Sequence, residues 1–197
     1  MLLSAPTAHH LDLYRYWRAK RGERLMPARG DLDPIDFAPL LPYLMLVERV
    51  GLQYRYRLIG SGLTQQLGRD VTGAVVGSQF SNASEAIAVK RAIYDRVFAA
   101  PCAVLASVEL VSSFGAVHNI LQLLLPLSAN GTEVDMVIST LIARFNMDSQ
   151  ERGNLKRLAA GVRDVFEVDD ASELKRLCLE WELKRKGGPQ QEPACGE

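Results

Sequence analysis

Val117-His118-Asn119-Ile120-Leu121-Gln122-Leu123-Leu124-Leu125 is the stretch whose reading decides the fold. It is too short and too punctuated to span a membrane. Pro126 closes it, Asn130-Gly131 marks a turn, and Glu133-Val134-Asp135-Met136-Val137-Ile138-Ser139-Thr140-Leu141 follows, rich in β-branched residues. Upstream, Ser107-Val108-Glu109-Leu110-Val111 alternates with period two, and Ser113-Phe114-Gly115 supplies the turn into the central run. Two hairpins therefore share one strand. One face of that strand carries Val117, Asn119, Leu121, Leu123 and Leu125; the other carries His118, Ile120, Gln122 and Leu124. An antiparallel strand with one side in water shows one polar face. Here both faces are largely apolar, so each side of the sheet must be covered.

The rest of the chain has to supply that cover. At 197 residues it can bury one good core with some length left for appendages. Its 23 basic and 23 acidic residues cancel, so no global field draws in nucleic acid or an anionic membrane. The N-terminus, Met1-Leu2-Leu3-Ser4-Ala5-Pro6, lacks a basic segment and a long apolar stretch, and we expect no secretory signal. Cys102, Cys178 and Cys195 have no metal-like spacing and leave one thiol over, which fits a reducing cytoplasm.

In chain order, Leu11, Leu13, Tyr14 and Trp17 recur at helical spacing and predict an amphipathic helix from about Ala8 to Arg21. Arg15, Arg18, Lys20 and Arg21 form its solvated side, and Gly22 stops it. Asp33-Pro34-Ile35-Asp36 has the marks of a helix start, and that short helix ends at Pro42. Tyr43–Arg49 and Gln53–Ile59 read as a hairpin about Gly51. In its second strand Tyr54, Tyr56 and Leu58 share one face, and Arg55, Arg57 and Ile59 the other. The glycines of Gly60-Ser61-Gly62 and of Gly68 to Gly73 fit turns, since their spacing matches no phosphate-binding loop. Ser84 to Ala99 reads as a helix of about four turns. Val104–Ser112, Val117–Leu125 and Val134–Leu141 complete the strands. Leu155, Leu158, Ala159, Val162 and Phe166 predict another helix. Asp170 to Glu173 resembles a capping box before a helix with the stripe Leu174, Leu177, Cys178 and Trp181. The Gly-, Pro- and Gln-rich tail from Gly187 is expected to be disordered.

Individual stretches tighten this layout: Tyr16-Trp17, Met26-Pro27, Asp33-Pro34, Leu41-Pro42, Tyr56-Arg57-Leu58-Ile59-Gly60, Gly68-Arg69-Asp70-Val71-Thr72-Gly73, and Leu125-Pro126-Leu127 with Gly131. As an ordered set, over roughly Leu11 to Ala143, they resemble the stand-alone PAS-type proteins of alphaproteobacteria. The resemblance implies an α+β fold, a PAS-like five-stranded antiparallel sheet with helices on one face, plus an N-terminal helix and a C-terminal helical extension. The expected domains are a PAS-like unit over 1–145, a helical extension over 146–186 and a tail over 187–197.

The resemblance also implies a sensory or signalling module, not an enzyme, binding a small molecule in the sheet–helix cleft and acting through protein partners. A ligand-free adaptor or dimerisation module is the alternative, and a small-molecule enzyme a distant third. Neither nucleic acid nor membrane is an expected partner. The cofactor stays unknown: no Asn-Cys-Arg-like flavin motif occurs, Cys102 falls after the long helix, and that helix contains no haem-ligating histidine. Expected ligand-binding residues are Tyr54, Tyr56, Arg57, Ile93, Val97 and His118. His118 reads either as a contact titrating near neutrality or as a plain strand histidine. Arg57 reads as a carboxylate or phosphate contact or as a structural partner of Glu48 or Glu109. His9-His10 is read as a solvated pair, and no metal site or catalytic residue is expected. Because the cleft helices cover one face only, the other is expected to be buried in a homodimer through Leu11, Tyr14, Trp17, Ile120 and Leu124, with the C-terminal helices as the competing cover.

Overall fold

The computed structural model describes residues 2, 4–78, 84–112, 117–143 and 158–186. The central run is strand β4 (Val117–Leu127), flanked by β3 (Ala103–Ser112) and β5 (Met136–Ala143). β1 (Leu44–Val50) pairs with β5 and with β2 (Gln53–Ile59). The expected five strands thus lie in the order β2-β1-β5-β4-β3, with antiparallel neighbours. The Ser113-Phe114-Gly115 turn lies outside the described residues.

A sixth strand corrects the five-strand expectation. Leu158–Val168, predicted as a helix, is β6, paired antiparallel with β3 along nearly its whole length. Two forces outweighed the helical spacing. Gly161 costs a helix interior about 1 kcal/mol relative to alanine, and Val162, Val165 and Val168 favour extended backbone. The open hydrogen-bonding edge of β3 supplies the remainder, and local periodicity carries no trace of it. Leu155 lies outside the described residues, as does the tail from Gly187.

The helices divide between the two faces. α1 (Ala5–Arg21) begins three residues earlier than its spacing predicts, with Pro6 in its first turn, and Gly22 closes it by donating to the Arg18 carbonyl at φ +56. A 3-10 segment, Pro34–Tyr43, follows; Pro39 and Pro42 lack the N–H groups that an α-helix needs. After the short helix α2 (Ser61–Leu67) comes α3 (Ser84–Ala99), which lies over β4, β3 and β6. It covers the face holding Gln122, Leu124 and Ser139. α1 covers the opposite face: His10 meets Thr140, and the Trp17 indole donates to the Pro126 carbonyl at 2.8 Å. α4 (Ala171–Lys186) packs on α1 and β6, burying the expected stripe of Leu174, Leu177, Cys178 and Trp181.

This arrangement buries, within a single chain, the residues expected at a dimer interface. Leu11, Tyr14, Trp17, Ile120 and Leu124, the residues expected at a dimer interface, are each at most 7% exposed within one chain. Ile120 and Leu124 lie under α3, while Tyr14 and Trp17 donate to the carbonyls of Val168 and Pro126 on the other face. The nearly five turns of α1 do not span six strands, and α4 extends the cover over β6.

Candidate functional site

Most of the α3 face of the sheet is apolar. Val104, Val47, Val137 and Leu124 are fully buried there, as is Val97 from the helix, and Ile93 is nearly so. Gln122 then breaks the apolar run of β4. Its Nε2 donates to the Tyr94 hydroxyl at 3.2 Å and to Ser139 Oγ at 3.2 Å. All three residues are at most 2% exposed. Burial pushes the Tyr94 phenol up to about 12, so it stays a neutral donor and acceptor at any ordinary pH.

Register places these groups together. Ser139 lies opposite Leu124 on β5, and Gln122 is two residues before Leu124 on the same face of β4. Tyr94 projects from α3 between Ile93 and Val97. Around it, Tyr54 stacks on Phe98 at 4.8 Å between centroids and sits 5.7 Å from the Tyr94 ring. The Tyr54 hydroxyl donates to Asp95 at 2.5 Å, and burial, reinforced by that carboxylate, raises its pKa to about 12. Lys90, one turn before Tyr94, is half-buried. Desolvation by burial lowers its pKa to about 8.

Of the six residues expected to contact a ligand, the structure turns five toward this layer. Tyr56, Ile93, Val97 and His118 are buried and Tyr54 half-buried. His118 lies four residues along β4 from Gln122, on the same face, roughly 13 Å away at ordinary strand rise. Arg57 is excluded. The β1–β2 register pairs Leu46 with Leu58 and Val47 with Tyr56, so Arg57 bulges out without a cross-strand partner and is exposed. The same bulge moves Leu58 off the tyrosine face, leaving it 40% exposed. Arg57 makes no ion pair among the described residues; Glu48 lies across from Arg55 instead.

Tyr94, Gln122 and Ser139 went unselected by sequence reasoning, although Gln122 was a visible signal: an amide inside an otherwise aliphatic strand. The solvated reading of His9-His10 also fails. His10 is fully buried, with Nδ1 2.5 Å from Thr140 Oγ1, because it belongs to the stripe that continues through Leu13, Tyr14 and Trp17. Burial lowers its pKa to about 3, outweighing the Leu121 carbonyl, which favours the charged ring. His9 stacks on Tyr43 at 4.6 Å and is held below its ordinary range by burial, which the charge of Asp12 opposes.

The family model for a PAS domain matches residues 6–142, well over half of the chain. The chain belongs to the PAS domain family. The match ends one residue before β5 does, so β6 and α4 are additions on the flank of the PAS sheet. No curated protein matches the sequence. As a PAS domain, the chain is of a general sensory or signalling type. No helix among the described residues is long and apolar enough to cross a membrane.

Proposed function

We propose that this PAS domain senses a small molecule held between the sheet and α3, and relays its presence through protein contacts in the cytoplasm; the role is binding, without catalysis. The observation that carries the reading is the Tyr94–Gln122–Ser139 cluster. A buried amide between two buried hydroxyls adds nothing that three apolar side chains of equal volume would not give to stability. It does give a ligand three groups that can each donate or accept. Lys90 and His118, on the same layer, add groups suited to an anionic portion. The relay runs through β5, where Ser139 faces the cluster and its neighbour Thr140 faces His10 on α1. A shift of that strand is felt on both sides of the sheet. A signalling partner or a second copy of the chain would then meet the outer surfaces of α1 and α4, since the five residues first assigned to a dimer are internal.

Native mass spectrometry of the full chain, purified from its own cells, tests this. A retained small molecule that is lost in Gln122→Leu is the expected result. A bare chain that takes up nothing from a metabolite extract sinks the ligand. One observation would then favour the adaptor reading: the three polar groups already satisfy one another in a layer closed to solvent.

A further inference from the structure

A second site lies outside that layer. β5 outruns β1: Leu44 is the last β1 residue paired with it, opposite Thr140, whereas β4 stays paired as far as Ala143. Past Thr140, the β1-side edge of β5 has no strand partner among the described residues. A cleft of about 250 Å³ opens there, where α1, the end of the 3-10 segment and α2 converge. Four polar side chains line it: His9 and Tyr43, stacked on each other, Gln66 and Thr140. Leu141 and Ile142 make much of its apolar wall. Tyr94, Gln122 and Ser139 take no part in it.

The lining selects its occupant. It contains no Asp, Glu, Lys or Arg, so a charged molecule would lose its hydration without gaining a counter-charge. Gln66 Oε1 is enclosed with no hydrogen-bond partner. Turning the amide over would offer its NH2 in the same place. The Thr140 hydroxyl is held from behind by His10, and the His9–Tyr43 pair presents ring surface suited to a flat molecule. The volume is below the roughly 300–1,000 Å³ of drug-sized pockets, which limits the occupant to one or two rings. An N–H beside a carbonyl pairs with an open strand edge as a neighbouring strand would.

We propose that this cleft binds an uncharged planar heterocycle whose edge carries an N–H donor beside a carbonyl acceptor, seated against Gln66 and the open edge of β5. The proposal is independent of the sensing function assigned to the sheet–α3 layer. Uracil and nicotinamide are suitable probes, with benzoate as a charged planar control, titrated into the 15N-labelled full chain at pH 7.5. Both probes should bind and benzoate should not, and the shifted amides should be those of Gln66, Thr140 and Ile142. Ile142→Trp, which fills the cleft, should abolish binding. Gln66→Leu, at a half-buried position that the fold tolerates more readily, should weaken it about tenfold. The proposal is overturned by any of four results. These are no binding of either probe, benzoate binding as tightly as the probes, shifts confined to Tyr94 and Gln122, or unchanged affinity in Gln66→Leu.

Discussion

His10 shows how much one buried ring can set. Its folded-state pKa, about 3, lies below the ordinary histidine value of 6.5, so protonation favours the unfolded chain. The neutral ring's contribution is fully present above pH 6.5 and is lost as pH falls from there toward 3. The loss is about 1.4 kcal/mol per pH unit within that window, or roughly 2 kcal/mol between pH 6.5 and 5. Urea denaturation of wild type and His10→Asn at pH 7 and pH 5 should show this difference in wild type and little of it in the variant. Equal slopes would mean the ring is hydrated in solution. Gly60 makes a steric case instead. A Cβ there would stand 2.2 Å from the Leu41 carbonyl oxygen and 2.5 Å from Pro42 backbone atoms. Gly60→Ala should cost about 2–4 kcal/mol, because backbone and not a pliable side chain must move. A change below 1 kcal/mol in the urea midpoint analysis would show that the 3-10 segment yields.

Among elements, α1 and α4 are zipped at both ends. Arg18 donates to the Asp169 carbonyl at 2.8 Å near the start of α4. At the other end Glu182, 7% exposed, accepts from Ser4 N at 2.9 Å and Ser4 Oγ at 2.8 Å, and also from Thr7 Oγ1. Ser4 makes no side-chain cap of its own, so a carboxylate from the far end of the chain caps α1 and meets its positive dipole end. Glu182→Ala leaves buried donors without an acceptor and should cost about 2–3 kcal/mol. Glu182→Gln, which keeps an oxygen but not the charge, should cost about 1 kcal/mol. Hydrogen exchange at the first turn of α1 should quicken in the same order. Unchanged exchange in both variants would show that α1 is held by its apolar stripe alone.

For the whole molecule, the PAS sheet is not closed without its flank. β6 satisfies the outer edge of β3, and α4 extends the cover of the α1 face over β6. A chain ending at Ala143 exposes that edge together with the surfaces under Leu174, Leu177, Cys178 and Trp181. It should aggregate or lose cooperative unfolding. A soluble truncation with the full-length near-UV circular dichroism would show instead that residues beyond 143 are dispensable for the fold. The Glu182 clamp and the truncation should act together, since both release α4 from α1.

The sequence by itself determined the strands of the PAS sheet, the long helix Ser84–Ala99 and the need for cover on both faces. These follow from side-chain periodicity, a property of neighbouring residues. The inward direction of Tyr54, Tyr56, Ile93, Val97 and His118 was legible for the same reason: alternation and helical spacing say which way a side chain points within its own element. Only the tertiary structure decided what lay across elements. The bulge that ejects Arg57, the pairing that turns Leu158–Val168 into a strand, and the burial of His10 each depend on a partner distant in sequence. Gln122 is the instructive case. Its polarity inside an aliphatic run was visible, but its partners Tyr94 and Ser139 lie 28 residues before it and 17 after it. A buried hydrogen bond is worth having only when both ends arrive together, and it is the packing of α3 on the sheet that brings them.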